Sequence, residues 1–442
     1  MTTLARRLGL RDYFALAFGT MIGAGWLVVM DDWLGRGGPL GAMLAFGIGG
    51  VALLPVGWVY GKWVARLPDA SGEAAYAAQV FPALPSYLIG WMMTLAYVIV
   101  CPWEAVALGK LAAYLYPGLN SFELYSVNGH PVFLPRLALG VLMTLFLAFL
   151  NFRGIRASAS FQKWVTSAVL TLFALIVLTS ASRGSIANFQ PMFAVGPLAS
   201  VILTLQIVPY FMTGFESVPK AAEESAPGFA SGGFFRAIVL ALFVGAGFYV
   251  LCIGAVAFAA PWQGLTGKTF ATAVAFEHAF HAAWPVRIIL AMAFLGLLQC
   301  FNGNFVASSR LFFSFGRNGS IPRRFGAVHP AYQTPHVAVV VVTAMTLVGV
   351  LLGDSLLVPV TEVGSMASAF GWLSACVSFL LAESNVKSRM VAAVGALVAL
   401  ALLLMKLLPV IPGHFTKWEW IVLAIWIGTG LAFWRKGAPS LR

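Results

Sequence analysis

Two carboxylates and two interrupted stretches stand out in this sequence, because an apolar chain has no ordinary use for them. Glu104 follows Cys101-Pro102-Trp103 inside a long apolar run, and Lys110, six positions on, is too far round a helix to pair with it. Such a carboxylate could hold an ammonium or carry a proton; equally it could be a neutral acid bonded to a neighbouring carbonyl. Glu216 lies in Pro209-Tyr210-Phe211-Met212-Thr213-Gly214-Phe215-Glu216-Ser217-Val218-Pro219, where two prolines and a glycine interrupt an apolar segment. Proline removes a backbone donor and clashes with the preceding turn. A carboxylate at mid-helix in hydrocarbon costs at least ~2.5 kcal/mol, so it needs a purpose, or else water shared with Glu223 and Glu224.

The second interruption is Gly19-Thr20-Met21-Ile22-Gly23-Ala24-Gly25. Each glycine weakens a helix by about 1 kcal/mol relative to alanine. Backbone broken at membrane depth is tolerated where it lines a protein cavity. The alternative is a small-residue face, Gly19 to Gly23, packing on a neighbouring helix. A break leaves unpaired amides at one half-helix and unpaired carbonyls at the other, so a zwitterion fits it without a charged side chain. On this reading an ammonium meets carbonyls near Thr20, Met21 and Tyr210, and a carboxylate meets amides from Gly23 to Gly25.

The elements that position these residues follow from composition. The chain has 442 residues, 60% hydrophobic and 10% charged, against about 25% charged in a soluble domain. Twelve stretches are long and apolar enough to span a bilayer: 12–34, 39–64, 86–116, 133–151, 163–181, 197–219, 234–260, 285–315, 337–353, 360–381, 389–408 and 417–435. They lack the alternation of strands, so the expected class is an all-α integral membrane protein forming one domain. With the N-terminus in the cytoplasm, nineteen lysines and arginines flank the inner side and eight the outer, which accounts for all 27. That bias puts both termini inside. Lys220 falls among the inner flanks, which leaves two buried acids and no buried lysine.

The net charge of +12 is spread through short loops, which argues against nucleic acid. The four cysteines lie inside apolar runs without paired spacing, so neither a disulfide nor a metal site is expected. Asn302, Asn304, Ser308, Ser309 and Gln206 could line a path or act as interhelical glue. No nucleophile elbow, zinc helix or phosphate loop is present, so no enzymatic activity and no cofactor are expected. A channel would need a ring of charge or a continuous polar lining, which two scattered acids do not supply.

Several motifs resemble those of the amino acid–polyamine–organocation transporters. Gly23-Ala24-Gly25 is similar to that family's unwound Gly-x-Gly, and Leu67-Pro68-Asp69-Ala70-Ser71-Gly72-Glu73-Ala74-Ala75-Tyr76 to the loop after its second helix, with Ser71 replacing a glycine. Asn151-Phe152-Arg153-Gly154 resembles the start of its fifth helix. Gly214-Phe215-Glu216-Ser217 with Ala221-Ala222-Glu223-Glu224 resembles its sixth-helix signature, and Ser309-Arg310 through Ile321-Pro322 and Thr334-Pro335 the end of its eighth.

The resemblance implies a LeuT-type fold. Helices one to five (10–190) would repeat upside down as six to ten (191–385), with helices one and six broken and two peripheral helices in 386–442. It implies alternating access, and a cell-membrane carrier importing an amino acid with a proton, or with sodium. It places substrate on Thr20, Met21, Ile22, Gly23, Ala24 and Gly25, a gate at Tyr210, and coupling on Glu216; beside it, the reading of the residues adds Tyr210, Phe211 and Gly214 of the second break as substrate contacts and Glu104 as a proton carrier. An uncoupled exchanger, a cationic amine or polyamine carrier or exchanger with Glu104 as counter-ion, and a transporter-like sensor or scaffold stay open. One departure is specific: where proton-coupled members resemble one another in a mid-fifth-helix lysine, this chain has Val169, and its nearest lysine is Lys163.

Overall fold

The computed structural model describes residues 4–411 and 414–435, with the backbone alone for 356–361. Lys436 and Arg442, both counted in the charge bias, lie outside the described residues. A helix stands at each of the twelve apolar stretches. Among the described residues, eight helical segments are long and apolar enough to cross a membrane, including Met30–Arg66, Ala83–Leu115 and Ala283–Arg317, so the chain is a multi-pass membrane protein. The rest fall short for local reasons: the first and sixth are broken, His336–Val350 has 15 residues, and Lys417–Phe433 has 17.

The first helix, Leu10–Met21, starts where the Asp12 carboxylate accepts from the Gly9 amide at 2.9 Å. It stops because Ile22 turns extended (φ −100°, ψ 92°), and helix resumes at Gly25–Val28. The passage from the first to the second span is set by Gly38-Pro39. Gly38 takes φ +62°, and a Cβ there would lie 2.8 Å from Phe193 and Ala194 backbone. The sixth span runs as Pro197–Leu205, Val208–Met212 and, beyond a second break, Ser217–Lys220.

The third and eighth spans are the inner pillars. The third is 78% buried over its most apolar window, whereas the fourth, Leu134–Arg153, is only 22% buried. A helix apolar all round with so little cover presents Leu142, Leu145 and Phe149 to lipid. The last helix is tied to the third: the indoles of Trp91 and Trp426 stack at 4.8 Å, and each donates to the other's backbone carbonyl at 2.8 and 2.9 Å.

Two features depart from the sequence reading. No strands were expected, yet Glu123–Val127 and His130–Phe133 form an antiparallel hairpin between the third and fourth spans. Its turn is Asn128-Gly129, both at positive φ (51° and 79°), the conformation that matches strand twist in two-residue hairpins. Ala271–Phe280 adds a helix between the seventh and eighth spans.

Candidate functional site

The two breaks meet. Gly214, at φ +143°, packs so closely on the first break that a Cβ would lie 2.5 Å from the Met21 amide nitrogen. Beside this crossing is a cavity of about 20 Å³, room for a water molecule rather than an amino acid. Thr20, Met21, Gly23 and Gly25 line it from the first span, Tyr210, Phe211 and Thr213 from the sixth, and Trp103 and Glu104 from the third. Cys300, Asn304 and Ser368 complete the wall from the eighth and tenth spans. Ile22, Ala24, Gly214 and Glu216 are buried next to the breaks but do not line the cavity.

The carbonyls ending the first half-helix already carry hydrogen bonds. Thr20 O accepts from the Cys300 thiol at 3.1 Å, Met21 O from the Tyr249 hydroxyl at 2.9 Å, and Ile22 O from Gln299 Nε2 at 2.8 Å. Gly23 O accepts from the Trp26 indole at 3.0 Å. On the amide side, Leu27 and Val28 donate to Ala24 O, while the Gly23 and Ala24 amides find no acceptor among the described residues. The break is therefore a braced structure with its donors open.

Three polar atoms of the cavity-lining residues are buried without a partner among the described residues: Glu104 Oε2, Asn304 Oδ1 and the Tyr210 hydroxyl. Glu104 Oε1 stands against the first break, since a Cβ on Gly23 would be 2.5 Å from it. Glu216 does something else. Its Oε2 accepts from the Gly214 amide at 3.0 Å, bracing the second break from inside the loop it belongs to. Thr213 spans that break too, donating to Pro209 O and reaching Ser368 Oγ, both at 2.7 Å.

The fifth span contributes an amide rather than an ammonium. Val169 is buried, and Lys163 pairs outward with Asp12 at 2.8 Å. Gln162 Nε2 instead bridges Ala15 O (3.3 Å) and Gln299 O (3.0 Å), tying the first, fifth and eighth spans. Its Oε1 accepts from Asn302, which in turn accepts from Asn151 and Ser158. Asn302 is thus interhelical glue, whereas Asn304, two residues on, faces the cavity. The serines at 308 and 309 bond back to carbonyls of their own helix.

The expectation of two buried acids and no buried lysine is overturned, since Lys220, Lys406, Glu73 and Glu224 are buried as well. Lys220, read as a solvated flank, is fully buried and paired with Glu73, because the loop after the second span folds over it instead of leaving it to water. Nor is Glu224 solvated: it makes a two-point pair with the buried guanidinium of Arg310 at 3.0 and 3.1 Å. Sequence reasoning also passed over Trp103, Cys300, Thr213 and Ser368. Thr213 carried a signal by lying inside a recognised break, and Trp103 by lying next to Glu104 in Cys101-Pro102-Trp103-Glu104.

The chain is similar in sequence to several known transporters. The Bacillus subtilis (strain 168) branched-chain amino acid permease BcaP is 24% identical over 385 residues, 85% of this chain and 79% of that protein. The methylthioribose transporter of the same organism is 25% identical over 340 residues, covering 75% and 72%. Cationic amino acid transporter 9, chloroplastic, of Arabidopsis thaliana is 26% identical over 338 residues, covering 74% and 58%. The family model described as amino acid permease matches residues 8–432, and with nearly the whole chain inside that match, this protein belongs to the amino acid permease family of membrane transporters.

Proposed function

We propose that this permease imports an amino acid together with a proton, by alternating access around the cavity where the two breaks cross. The reading takes twelve membrane crossings with both termini cytoplasmic. Spans one to five would be repeated upside down as six to ten, the last two spans standing outside the repeat. The contact between Gly214 and the first break supports it, as interrupted helices in corresponding halves are expected to meet at the binding site.

The observation that carries the reading is the convergence of Glu104 Oε2, Asn304 Oδ1 and the Tyr210 hydroxyl, all unpartnered among the described residues, on a cavity also lined by Gly23, whose amide is open. Buried polar groups are rarely left without partners, and three together await a ligand. The substrate carboxylate belongs on the Gly23 amide at the first break. Its ammonium belongs on Asn304 Oδ1, because the carbonyls of Met21 and Ile22 are already taken by Tyr249 and Gln299. The cavity admits only water in this conformation, so Tyr210 and Phe211 must withdraw for substrate to enter, which makes them the gate.

Coupling follows from Glu104. Its Oε1 adjoins the break that takes the substrate carboxylate, so two negative charges would share one site. Protonation of Glu104 relieves that repulsion, and substrate and proton travel together. Glu216 serves the second break instead, holding the Gly214 amide. No cofactor enters this scheme.

The relatives named above carry different substrates, so specificity is read from the cavity. A second reading has direct support in the unpaired Glu104 oxygen: a cationic amine lacking a carboxylate would use Glu104 as counter-ion. A thermal-shift screen of the purified protein against the standard amino acids and biogenic amines separates the two. A ligand at 100 times its Kd stabilises by about 2.7 kcal/mol. Stabilisation by zwitterions supports the first reading, and stabilisation by amines alone overturns it in favour of the second. Exchange of labelled for unlabelled ligand across proteoliposomes distinguishes a carrier from a sensor.

A further inference from the structure

A second group of buried charge lies outside the cavity. Glu73 and Lys220 are both 0% exposed, and the ammonium donates to both carboxylate oxygens, at 2.6 Å to Oε1. The Tyr60 hydroxyl donates to the same Oε1 at 2.6 Å. The rings of Tyr60 and Tyr97 cover the ammonium at 5.8 and 5.5 Å. Gly72 passes so close, at φ +51°, that a Cβ would lie 2.8 Å from Lys220 Nζ. Glu216, one turn before Lys220, keeps one carboxylate oxygen without a partner among the described residues.

The pair joins two separate stretches. Glu73 opens the short helix Glu73–Ala77 after the second span, and Lys220 ends the four-residue helix beyond the break of the sixth. Its level in the molecule follows from its neighbours. Tyr97 adjoins the cavity-lining Ala96, and Trp372 lies one turn beyond the cavity-lining Ser368. Phe215, two residues past the cavity-lining Thr213, packs on Trp372 and on Tyr60, both at 5.5 Å. Aromatic rings and the ion pair together floor the cavity. Farther out, the amides of Arg7 and Leu8 donate to Glu224 O at 2.7 and 2.9 Å, so this floor faces the N-terminal side of the protein.

A dry ion pair adds little net stability, since desolvating two charges offsets their attraction and an apolar pair could replace it. It supplies a contact that is costly half-made and recovers hydration once water reaches both partners. That property suits a door that is either shut and dry or open and wet. We propose that the Glu73–Lys220 pair is the closure of the transport path on the N-terminal side. It holds the segment beyond the sixth-span break against the loop after the second span, and it parts to let substrate leave. The proposal rests on the carrier reading above.

Cys300 reports on it from inside the cavity. With Cys101, Cys252 and Cys376 replaced by alanine, its alkylation by a water-soluble maleimide is timed in detergent-purified protein. Glu73→Gln and Lys220→Met are each expected to label at least tenfold faster than the intact pair. Glu73→Asp, which keeps the charge, should fall between and guards against misfolding as the cause. Equal rates in all four proteins would overturn the closure. The same timing with a mixture of the standard amino acids separates the two ideas. Protection of Cys300 with unchanged rates across the variants defeats the closure alone, whereas no protection in any protein defeats the amino acid site on which it rests.

Discussion

Replacing Glu104 by glutamine should uncouple substrate binding from the proton. The substitution keeps the shape of the side chain and, like the protonated acid, presents one carbonyl acceptor and a donor with no charge. Glu104 Oε1 lies within 2.5 Å of where a Gly23 Cβ would stand, so a substrate carboxylate bonded to the adjacent amide sits about 5 Å from it. At an effective dielectric of about 20, two like charges at that separation repel by roughly 3 kcal/mol, or about a hundredfold in affinity. Protonation relieves this term in the native protein; Glu104→Gln relieves it permanently.

The assay is calorimetric titration with the amino acid that stabilises the protein most, in buffers of different ionisation enthalpy. The slope of observed heat against buffer enthalpy gives the protons taken up per substrate. The native protein should take up close to one where Glu104 begins ionised, and its affinity should weaken as pH rises. Glu104→Gln should take up none and bind with an affinity flat in pH, close to the native value at low pH. Undiminished proton uptake in the variant would refute the argument, as would a native protein that takes up none. If the substrate is a cationic amine, the sign reverses, and Glu104→Gln should abolish binding.

Other sites make independent tests. Gly214→Ala should abolish transport and lower thermal stability, because φ +143° and a Cβ 2.5 Å from the Met21 nitrogen leave it no relaxed conformation; uptake in proteoliposomes and melting read the two effects. Gln162→Ala should cost about 1–3 kcal/mol by leaving the buried Asn302 amide without its acceptor and removing the link to Ala15 O and Gln299 O, and an unchanged denaturation midpoint would refute its bridging role. Tyr249→Phe frees the Met21 carbonyl, so substrate affinity should change in direct binding even though Tyr249 does not line the cavity. Trp426→Ala removes the ring stack and the indole bond to Trp91 O, leaving only the Trp91 bond to the backbone carbonyl of residue 426, and should loosen the last helix, seen as faster hydrogen exchange confined to 417–433.

Composition and punctuation determined a great deal. Apolar runs of membrane length fixed the helices, and Gly23, Gly25, Pro209 and Gly214 marked the breaks, since glycine and proline act on the backbone wherever they stand. The hairpin was legible too: Asn128-Gly129 is a strong local turn signal, overlooked between two long apolar segments. What the sequence could not decide was direction. A soluble helix reveals its buried face by alternating polarity, but a membrane helix is apolar on both sides, so nothing distinguished Asn302, which ties helices together, from Asn304, which faces the cavity. Pairings between distant segments were equally hidden. Lys220 and Glu73 are 147 positions apart, and each alone reads as a surface charge. Only the packed fold, which excludes water from both, makes them a buried pair. The carbonyls of the first break are the same case: the sequence announces that they are freed from the helix, and tertiary contacts with Tyr249 and Gln299 decide that they are already bonded.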